Sequence, residues 1–399
     1  MDHHASPSAT HAHPDAGELP DEILAALDNF HPEGYSSTGV SRGIGVLRDE
    51  GWLHRSFDAA FSCHGHDAEA DARAGFSRQL RLLYDVGRGS LPLGRIFEGH
   101  VNALELVARF ATDAQRERYY AEAKSGKMFG VWNTEAADGI NVYDLGDGQY
   151  EIKGRKTFCS GASDVERPII TGHLWRGGKV AGWQMLIVPM ERVDDSRVDD
   201  SFWSPLGMQA SASFAVDFTG IRVAEGDLLG AVDDYHAQPH FSGGAIRFAA
   251  VQLGGARALY DHATAMLKGM HREHDPYQAH RIADMEMAHR TGLNWLTLAP
   301  QYALPGHHAD ADVIHYANMT RTAILRCCNE ILDVAEMAVG ARGFLRPKHI
   351  QRIYCDLRMY LRQPAPDNAL AAVGRHAAER SRLPQADAEA LAAAEPCTS

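Results

Sequence analysis

The chain has 399 residues, 45% of them hydrophobic, and a formal net charge of −13 at pH 7. At roughly 100–200 residues per domain, this length predicts two or three packed units. The acidic balance argues against nucleic acid and anionic membrane as partners, because both attract basic surfaces. A phosphate-bearing ligand is still compatible with it, since that needs only a local basic pocket or helix N-termini.

The six cysteines are scattered, without a CxxC pair. The chain begins with a polar segment that has no apolar signal core, and no run of about 18 apolar residues occurs in it. We therefore expect reduced thiols, no membrane span and a cytoplasmic protein. Histidines stand close together in places, but no Cys or carboxylate completes a ligand set, so we expect no metal site.

The hydrophobic pattern divides the chain into five segments. Residues 1–18 are rich in His, Ala, Ser and Pro, which predicts a disordered tail. Apolar residues recur at helical spacing over 19–130, whereas 131–235 contains short alternating segments separated by turn residues. Long helical patterns return over 240–378, and an Ala/Glu-rich second tail is predicted over 379–399. The order is therefore an all-α domain, an antiparallel β domain and a four-helix bundle.

Single elements can be predicted inside these segments. Thr112 is the predicted N-cap of a helix that carries Asp113 early and Lys124 late, as the helix dipole favours. In the β segment Val216 and Phe218 alternate with polar residues, which predicts one buried face. The bundle helices are predicted over approximately 244–272, 278–300, 311–339 and 347–362.

Four stretches of the chain carry a family resemblance. In order they are FATDAQRERYYAEAKSGKMFGVWNTE, YEIKGRKTFCSGAS, PLGMQASASFAVDFTGIRVAEGDLLG and GARGFLRPKHIQRIYCDLRMYL. Their order and spacing, together with a β segment between two helical ones, resemble the acyl-CoA dehydrogenase superfamily of flavoproteins. The resemblance covers about residues 20–375 and implies that family's fold, with an N-terminal all-α domain, a central antiparallel β domain and a C-terminal four-helix bundle.

The resemblance implies an FAD cofactor held by two strands. In the family, one strand lays its backbone and a Thr hydroxyl against the pyrimidine end of the isoalloxazine; Trp132 and Thr134 match it. A second strand supplies an aromatic side chain and a hydroxyl near N5, matched by Phe158 and Ser160. A fixed donor near N5 stabilises the negative charge that reduction builds on the ring. The alternative is that both aromatics belong to the β core and that Ser160 is a turn residue.

The pyrophosphate end of FAD is matched in part. Arg272 matches a family arginine, and Gly340 and Gly343 match two of three glycines, with Ala341 in place of the third. Such glycines let backbone N–H groups approach a phosphate or end a helix, and both interpretations stay open. The family builds this end partly from a neighbouring subunit and buries the bundle between subunits. The resemblance therefore implies a homodimer or a homotetramer.

The catalytic glutamate of the family is missing. Dehydrogenation of an acyl thioester needs a carboxylate that removes the α-proton while the flavin accepts the β-hydride. Alignment on Asp356 places Pro364 at the position of that glutamate. A minority branch carries its base immediately before an arginine, where this chain has Ile246 before Arg247. Asp367 is the nearest replacement, although capping is the commoner role of an aspartate.

The resemblance also implies substrate contacts and leaves three alternative functions open. Arg247 and Asn141 are the substrate contacts that the resemblance implies, and Glu135 and Asp138 are further candidate acids at a strand tip. The main prediction is FAD-dependent α,β-dehydrogenation of an acyl thioester with a relocated or absent base. A flavin-dependent monooxygenase or oxidase is the second, because it removes no α-proton, and a non-catalytic subunit is the third. The sequence names neither the substrate nor the electron acceptor.

Overall fold

The computed structural model describes residues 19–28, 37–54, 68–345 and 349–380. The predicted tail over 1–18 lies outside these residues, and so does the second predicted tail from 381 onward. Glu379, predicted to begin that tail, is instead the last residue of a helix, and Arg380 follows as its C-cap.

The first segment is helical, as predicted. Its helices are α1 (Asp21–Asp28), α2 (Ser37–Asp49), α3 (Ala68–Gly89), α4 (Leu91–Phe110) and α5 (Asp113–Lys124). Helix α4 begins at an N-cap, Ser90, whose hydroxyl accepts the N–H of Leu93. At the start of α5, Thr112 and Gln115 form a reciprocal capping box. The predicted N-cap role of Thr112 is confirmed.

Helix α4 joins the helical part to the β part through His100. The backbone N–H of Phe129, at the start of the first strand, donates to His100 Nδ1 across 3.0 Å. The other ring nitrogen, Nε2, lies 2.9 Å from the carbonyl oxygen of Leu53 and must therefore carry the proton. Burial lowers the pKa of His100 to about 4, so the ring is neutral and holds the first strand against α4.

The β segment forms two sheets. Its strands are β1 (Phe129–Trp132), β2 (Asn141–Gly146), β3 (Gln149–Lys153), β4 (Arg155–Cys159), β5 (Arg167–Arg176), β6 (Lys179–Ile187), β7 (Val198–Asp199), β8 (Phe214–Asp217), β9 (Arg222–Ala224) and β10 (Leu228–Leu229). The larger sheet has the order β10-β6-β5-β2-β3-β9, with β1 also paired to β5, and the smaller has the order β4-β8-β7. Val216 and Phe218 are fully buried, as predicted.

Most strand pairs are antiparallel, as predicted, but the larger sheet is mixed. Strand β5 pairs in parallel with β1 and with β2, which follow each other along the same edge. The alternation of apolar and polar residues specifies which face of a strand is buried, not the direction of its neighbour. The parallel pairs were therefore not visible in the pattern.

The third segment is helical again. After a single turn at His240–Gly243 it contains α6 (Ala245–Gly269), α7 (Pro276–Tyr302), α8 (Asp310–Gly343), α9 (His349–Tyr360) and α10 (Pro366–Glu379). The four predicted helices are confirmed, but the prediction omitted α10. Its first residue is Pro366, and proline is well tolerated at that position of a helix. None of the helices in the described part of the chain is long and apolar enough to cross a bilayer.

Candidate functional site

The two strands that the sequence analysis singled out lie side by side. Beyond β1 the chain continues next to β4: the N–H of Thr157 donates to the carbonyl oxygen of Thr134 across 3.0 Å. Glu135 and Lys156 form an antiparallel bridge one residue further on. Thr134 is exposed and Ser160 is half-buried. Ser160 lies three residues beyond the partner of Thr134, directly after the end of β4.

The two predicted aromatic contacts have different environments. Trp132 is 1% exposed, packs near Phe218 and donates its indole N–H to the carbonyl oxygen of Ser160 across 3.0 Å. Its side chain belongs to the core and supports Ser160 from behind, which leaves only its backbone for a ligand. Phe158 is instead 50% exposed.

Phe158 has the features of a ligand contact. Its φ of 53° is left-handed, a conformation that costs a bulky residue of order 1–3 kcal/mol and clusters at functional sites. Its ring lies 5.9 Å from the rings of Phe202 and Trp203, measured between centroids. Phe202 is also exposed. The three aromatic residues form an apolar surface, the Phe158 patch, next to Ser160.

A buried lysine fixes the tip between β1 and β2. Lys156 is fully buried and donates to the carbonyl oxygen of Asn133 at 2.9 Å and to Glu135 Oε1 at 3.2 Å. Burial lowers the pKa of this ammonium group, while the charge of Glu135 opposes the shift. The same Glu135 oxygen accepts the N–H of Ile140 at 2.9 Å. Glu135 is therefore committed to the shape of the tip.

The other polar residues of the tip are also engaged. Asp138 accepts from Arg155 Nε across 3.0 Å at the surface. Asn141, a predicted substrate contact, lies in β2 and accepts the indole N–H of Trp175 across 2.8 Å. Asp138 and Asn141 are close to Thr134 in the sequence, but in the structure each one already binds another side chain of the protein.

A polar stripe runs along α4, a helix whose other residues are mostly buried. Its members stand three and four residues apart, so they share one helix face. They are Arg95, Glu98, Asn102, Glu105 and Arg109. This α4 stripe was not among the residues predicted from the sequence. The alternating spacing of polar residues within an apolar helix was the signal that identifies it.

Arg247, the second predicted substrate contact, binds the α4 stripe. It is 8% exposed and donates to Asn102 Oδ1 across 2.6 Å and to Glu105. Its Nε lies 3.5 Å from Glu98, whose second oxygen accepts from Arg95 across 3.0 Å. A network of buried charges therefore occupies the space between α4 and the start of α6.

Two further groups border this network. Arg109 contacts His240 Nε2 at 2.6 Å, and burial together with the arginine lowers the pKa of His240 to about 4. The hydroxyl of Tyr360, at the end of α9, is buried and finds no hydrogen-bond partner among the described residues. Arg247 Nε likewise makes no hydrogen bond with the described residues, but it lies 3.5 Å from Glu98 in an ion pair.

The predicted pyrophosphate residues lie at helix ends. Arg272 follows α6 at the surface, where it pairs with Asp275 at 3.4 Å. Gly340 breaks α8 with φ 56° and ψ −167°, a conformation essentially restricted to glycine. Gly343 is buried, and a Cβ there would lie 2.2 Å from Val339. Local packing therefore accounts for Gly343, whereas Gly340 has open space around it among the described residues and both interpretations of this residue stay open.

At the position of the missing glutamate the chain is exposed, and so is the predicted replacement. The carbonyl oxygen of Pro364 accepts from Arg321 across 2.9 Å. Asp367, the predicted replacement, is exposed in the first turn of α10, where the helix dipole favours an acid. The N-cap of α10 is Ala365, and no described side chain makes a capping hydrogen bond there, so Asp367 does not have the capping role that its residue type suggested.

The strand ends suit one end of a flavin. A planar aromatic ring with hydrogen-bonding edges needs an apolar face and nearby hydroxyl groups, and the Phe158 patch with Ser160 and Thr134 supplies both. The donor set therefore fits the isoalloxazine.

Comparison with known proteins agrees with this fold. Residues 246–362 match the family described as acyl-CoA dehydrogenase, C-terminal domain. The resemblance to the acyl-CoA dehydrogenase superfamily is thereby confirmed, and the chain has the fold of those flavoenzymes. A probable FMNH2-dependent monooxygenase, SfnC of Pseudomonas putida, is 27% identical over 186 residues, 46% of this chain and 44% of the relative. The chain thus aligns to less than half the length of that curated protein.

Solved structures share the fold over nearly the whole chain. The dibenzothiophene monooxygenase TdsC of Paenibacillus sp. A11-2, solved with FMN and indole, superposes with a TM-score of 0.76 at 19% identity and covers 93% of this chain and 97% of its own. Butyryl-CoA dehydrogenase of Megasphaera elsdenii superposes with a TM-score of 0.70 at 16% identity, covering 94% and 99%. Monooxygenases and dehydrogenases therefore share this architecture, and the choice between them depends on the site.

Proposed function

We propose that the chain is a flavin-dependent monooxygenase that uses reduced FMN and O₂. The observation that carries the proposal concerns the position of the base: Pro364 stands where the family has its glutamate, and Asp367, the predicted replacement, is an exposed residue in the first turn of a helix. Glu135 and Asp138 are held in ion pairs. A monooxygenase removes no α-proton and needs no such carboxylate. The relatives named as monooxygenases support the same choice over the dehydrogenase.

The chain's own residues have defined roles in this proposal. When bound, reduced flavin supplies the two electrons that, with two protons, convert one atom of O₂ to water while the other is added to the substrate. Phe158 covers the ring and excludes water, and Ser160 donates a hydrogen bond near N5. Thr134 lies at the pyrimidine end. FMN is favoured over FAD because it lacks the adenylate part, and two of the predicted pyrophosphate residues, Arg272 and Gly343, are accounted for by local structure.

The α4 stripe argues for a small polar substrate rather than a long acyl thioester. Burying methylene groups against Arg95, Glu98 and Arg247 would remove solvation from charges without replacing it. The Tyr360 hydroxyl, a buried donor without a hydrogen-bond partner among the described residues, instead favours a molecule that carries an oxygen acceptor. We propose a small organic molecule of this kind as the substrate.

The assembly and the compartment are also part of the proposal. The exposed Phe158 patch and the resemblance support a homodimer or homotetramer. Cys159, Cys327, Cys328 and Cys355 are buried and free, which is compatible with the reducing cytoplasm.

Two measurements separate the candidate functions. The purified protein is titrated with FMN and with FAD, and oxygen uptake is then followed with externally reduced flavin and a panel of small oxygen-containing and sulfur-containing compounds. We expect tighter binding of FMN and substrate-dependent product with one added oxygen atom. Anaerobic bleaching of bound flavin by an acyl-CoA would instead establish the dehydrogenase. A protein that takes up no flavin would be the non-catalytic subunit.

A further inference from the structure

A chain of three serine hydroxyls leads from the protein core to Ser160. Ser213 Oγ donates to Ser160 Oγ across 3.0 Å, and Ser211 Oγ lies 2.8 Å from Ser213 Oγ. Ser211 is 1% exposed and Ser213 is 3% exposed, whereas Ser160 is half-buried. This row of hydrogen-bonded hydroxyls therefore begins inside the protein and ends at the candidate flavin surface.

The order of donation fixes the direction of the Ser160 proton. A hydroxyl group has a single proton to donate. Because Ser213 gives its proton to Ser160, Ser211 must be the donor to Ser213. The Ser160 oxygen then accepts a hydrogen bond on the side that faces the core, so its own proton points away from Ser213. Ser160 is thereby set as a donor on the side that faces out of the core.

The segment that carries the two inner serines is anchored on both sides. The N–H of Gly161 donates to the carbonyl oxygen of Ser211 across 2.8 Å, which joins the segment to the turn after β4. On the other side, the N–H of Met208 donates to Asp356 of α9. Gly207 allows this approach, because a Cβ there would lie 2.0 Å from the carbonyl oxygen of Cys355.

The three hydroxyls do not form a path for protons to solvent. Within the described part of the chain, no side-chain hydrogen bond continues inward from Ser211, which is buried. The arrangement suits orientation of the last hydroxyl, because a donor held in place beforehand needs no reorganisation when charge develops near it.

We propose that Ser213, with Ser211 behind it, is a positioning residue that holds the Ser160 hydroxyl as a donor toward N5 of a bound flavin. The inference rests on the proposed flavin function. Without Ser213, the Ser160 hydroxyl is free to turn back toward the core. Reduced flavin, whose charge the donor stabilises, then loses more binding free energy than oxidised flavin does.

The test measures the dissociation constant of oxidised FMN and the midpoint potential of bound FMN in the full-length protein. For Ser213→Ala we expect the affinity for reduced FMN, relative to oxidised FMN, to fall about three- to tenfold. This corresponds to a potential about 15–30 mV more negative for a two-electron couple. Ser160→Ala should shift the potential at least as far. Ser77→Ala, which removes an exposed helical hydroxyl that binds Arg73, is the matched control and should not shift it.

A second pair of variants covers the case in which Ser213→Ala does not hold FMN. Ser213→Thr and Ser213→Val have the same shape and differ in the hydroxyl, so only the Val variant should show the more negative potential. Equal potentials in this pair, with a shift in Ser160→Ala, would overturn the inference and leave the proposed function intact. A wild-type protein that binds no flavin would remove the proposed function, and the inference with it.

Discussion

Asp356 Oδ1 accepts the backbone N–H of Met208 across 2.5 Å, and this hydrogen bond joins α9 to the segment that carries the inner serines. Asp356 is 5% exposed, and burial raises its pKa to about 7. The hydrogen bond from Met208 and the charge of Arg352 lower the pKa, but burial has the larger effect. The buried acid is therefore largely protonated in acid solution and loses its proton near neutrality.

This pKa predicts a pH dependence of stability. The folded-state pKa of Asp356 is above its ordinary value of 3.8, so its protonated form favours the folded state. That stability is present below pH 3.8 and is lost as the pH rises through about 7. In urea unfolding between pH 5 and pH 7, we expect wild type to lose roughly 2–3 kcal/mol relative to Asp356→Asn, which keeps an acceptor without the proton. Parallel curves for the two proteins would contradict the assignment.

Removal of Arg247 should destabilise the protein strongly. The guanidinium contacts three members of the α4 stripe, and Arg247→Met would leave the buried Glu98 and the partly buried Glu105 with fewer partners. We expect the free energy of unfolding to fall by about 3–5 kcal/mol. Arg290→Met, which breaks the exposed pair with Glu286, is the control and should change it by less than about 1 kcal/mol. Similar losses in both variants would argue against a buried charge network.

Any side chain at Gly340 should destabilise the fold, and the cause is the backbone conformation and not a steric clash. A Cβ at this position would meet no heavy atom within 4 Å, but φ is 56°. Gly340→Ala should therefore lower the free energy of unfolding by about 1–3 kcal/mol. Gly374→Ala, inside α10 and also without a close neighbour, should raise it by about 0.4–1 kcal/mol. Circular dichroism during chemical unfolding gives both values. If the free energy of unfolding changed in the same direction in the two variants, this explanation would be excluded.

Local features were predictable from the sequence, and contacts between distant residues were not. Thr112 was recognisable as an N-cap because its partner Gln115 is three residues away. The bond from Asp356 to Met208 joins residues 148 positions apart, and no periodicity indicates it. The main-chain direction of β5 relative to β1 was hidden for the same reason.

The same distinction applies to the candidate site. Thr134 and Ser160 were found through a family resemblance, and the structure places their strands together. The α4 stripe is visible in the sequence as polar residues spaced three and four apart. Its partner Arg247 is 142 positions from Glu105, so the contact between them could not be predicted. Left-handed backbone at Phe158, a non-glycine residue, contradicts local preference, and such exceptions concentrate at functional sites.

Phe158 should show a conflict between stability and binding. Its backbone is left-handed at φ 53° while half of its side chain is exposed, so the fold gains little from the ring. Phe158→Gly should raise the free energy of unfolding of the flavin-free protein by about 1 kcal/mol, because glycine adopts this conformation without strain. The same change should weaken FMN binding about tenfold, since the ring covers one face of the proposed site. Phe158→Ala separates the two effects: it loses the ring but keeps the strained backbone, so binding should fall without a gain in stability. Thermal unfolding without FMN and fluorescence titration with FMN measure the two quantities. If Phe158→Gly destabilised the flavin-free protein, the ring would be part of the core and its assignment to the flavin would be wrong.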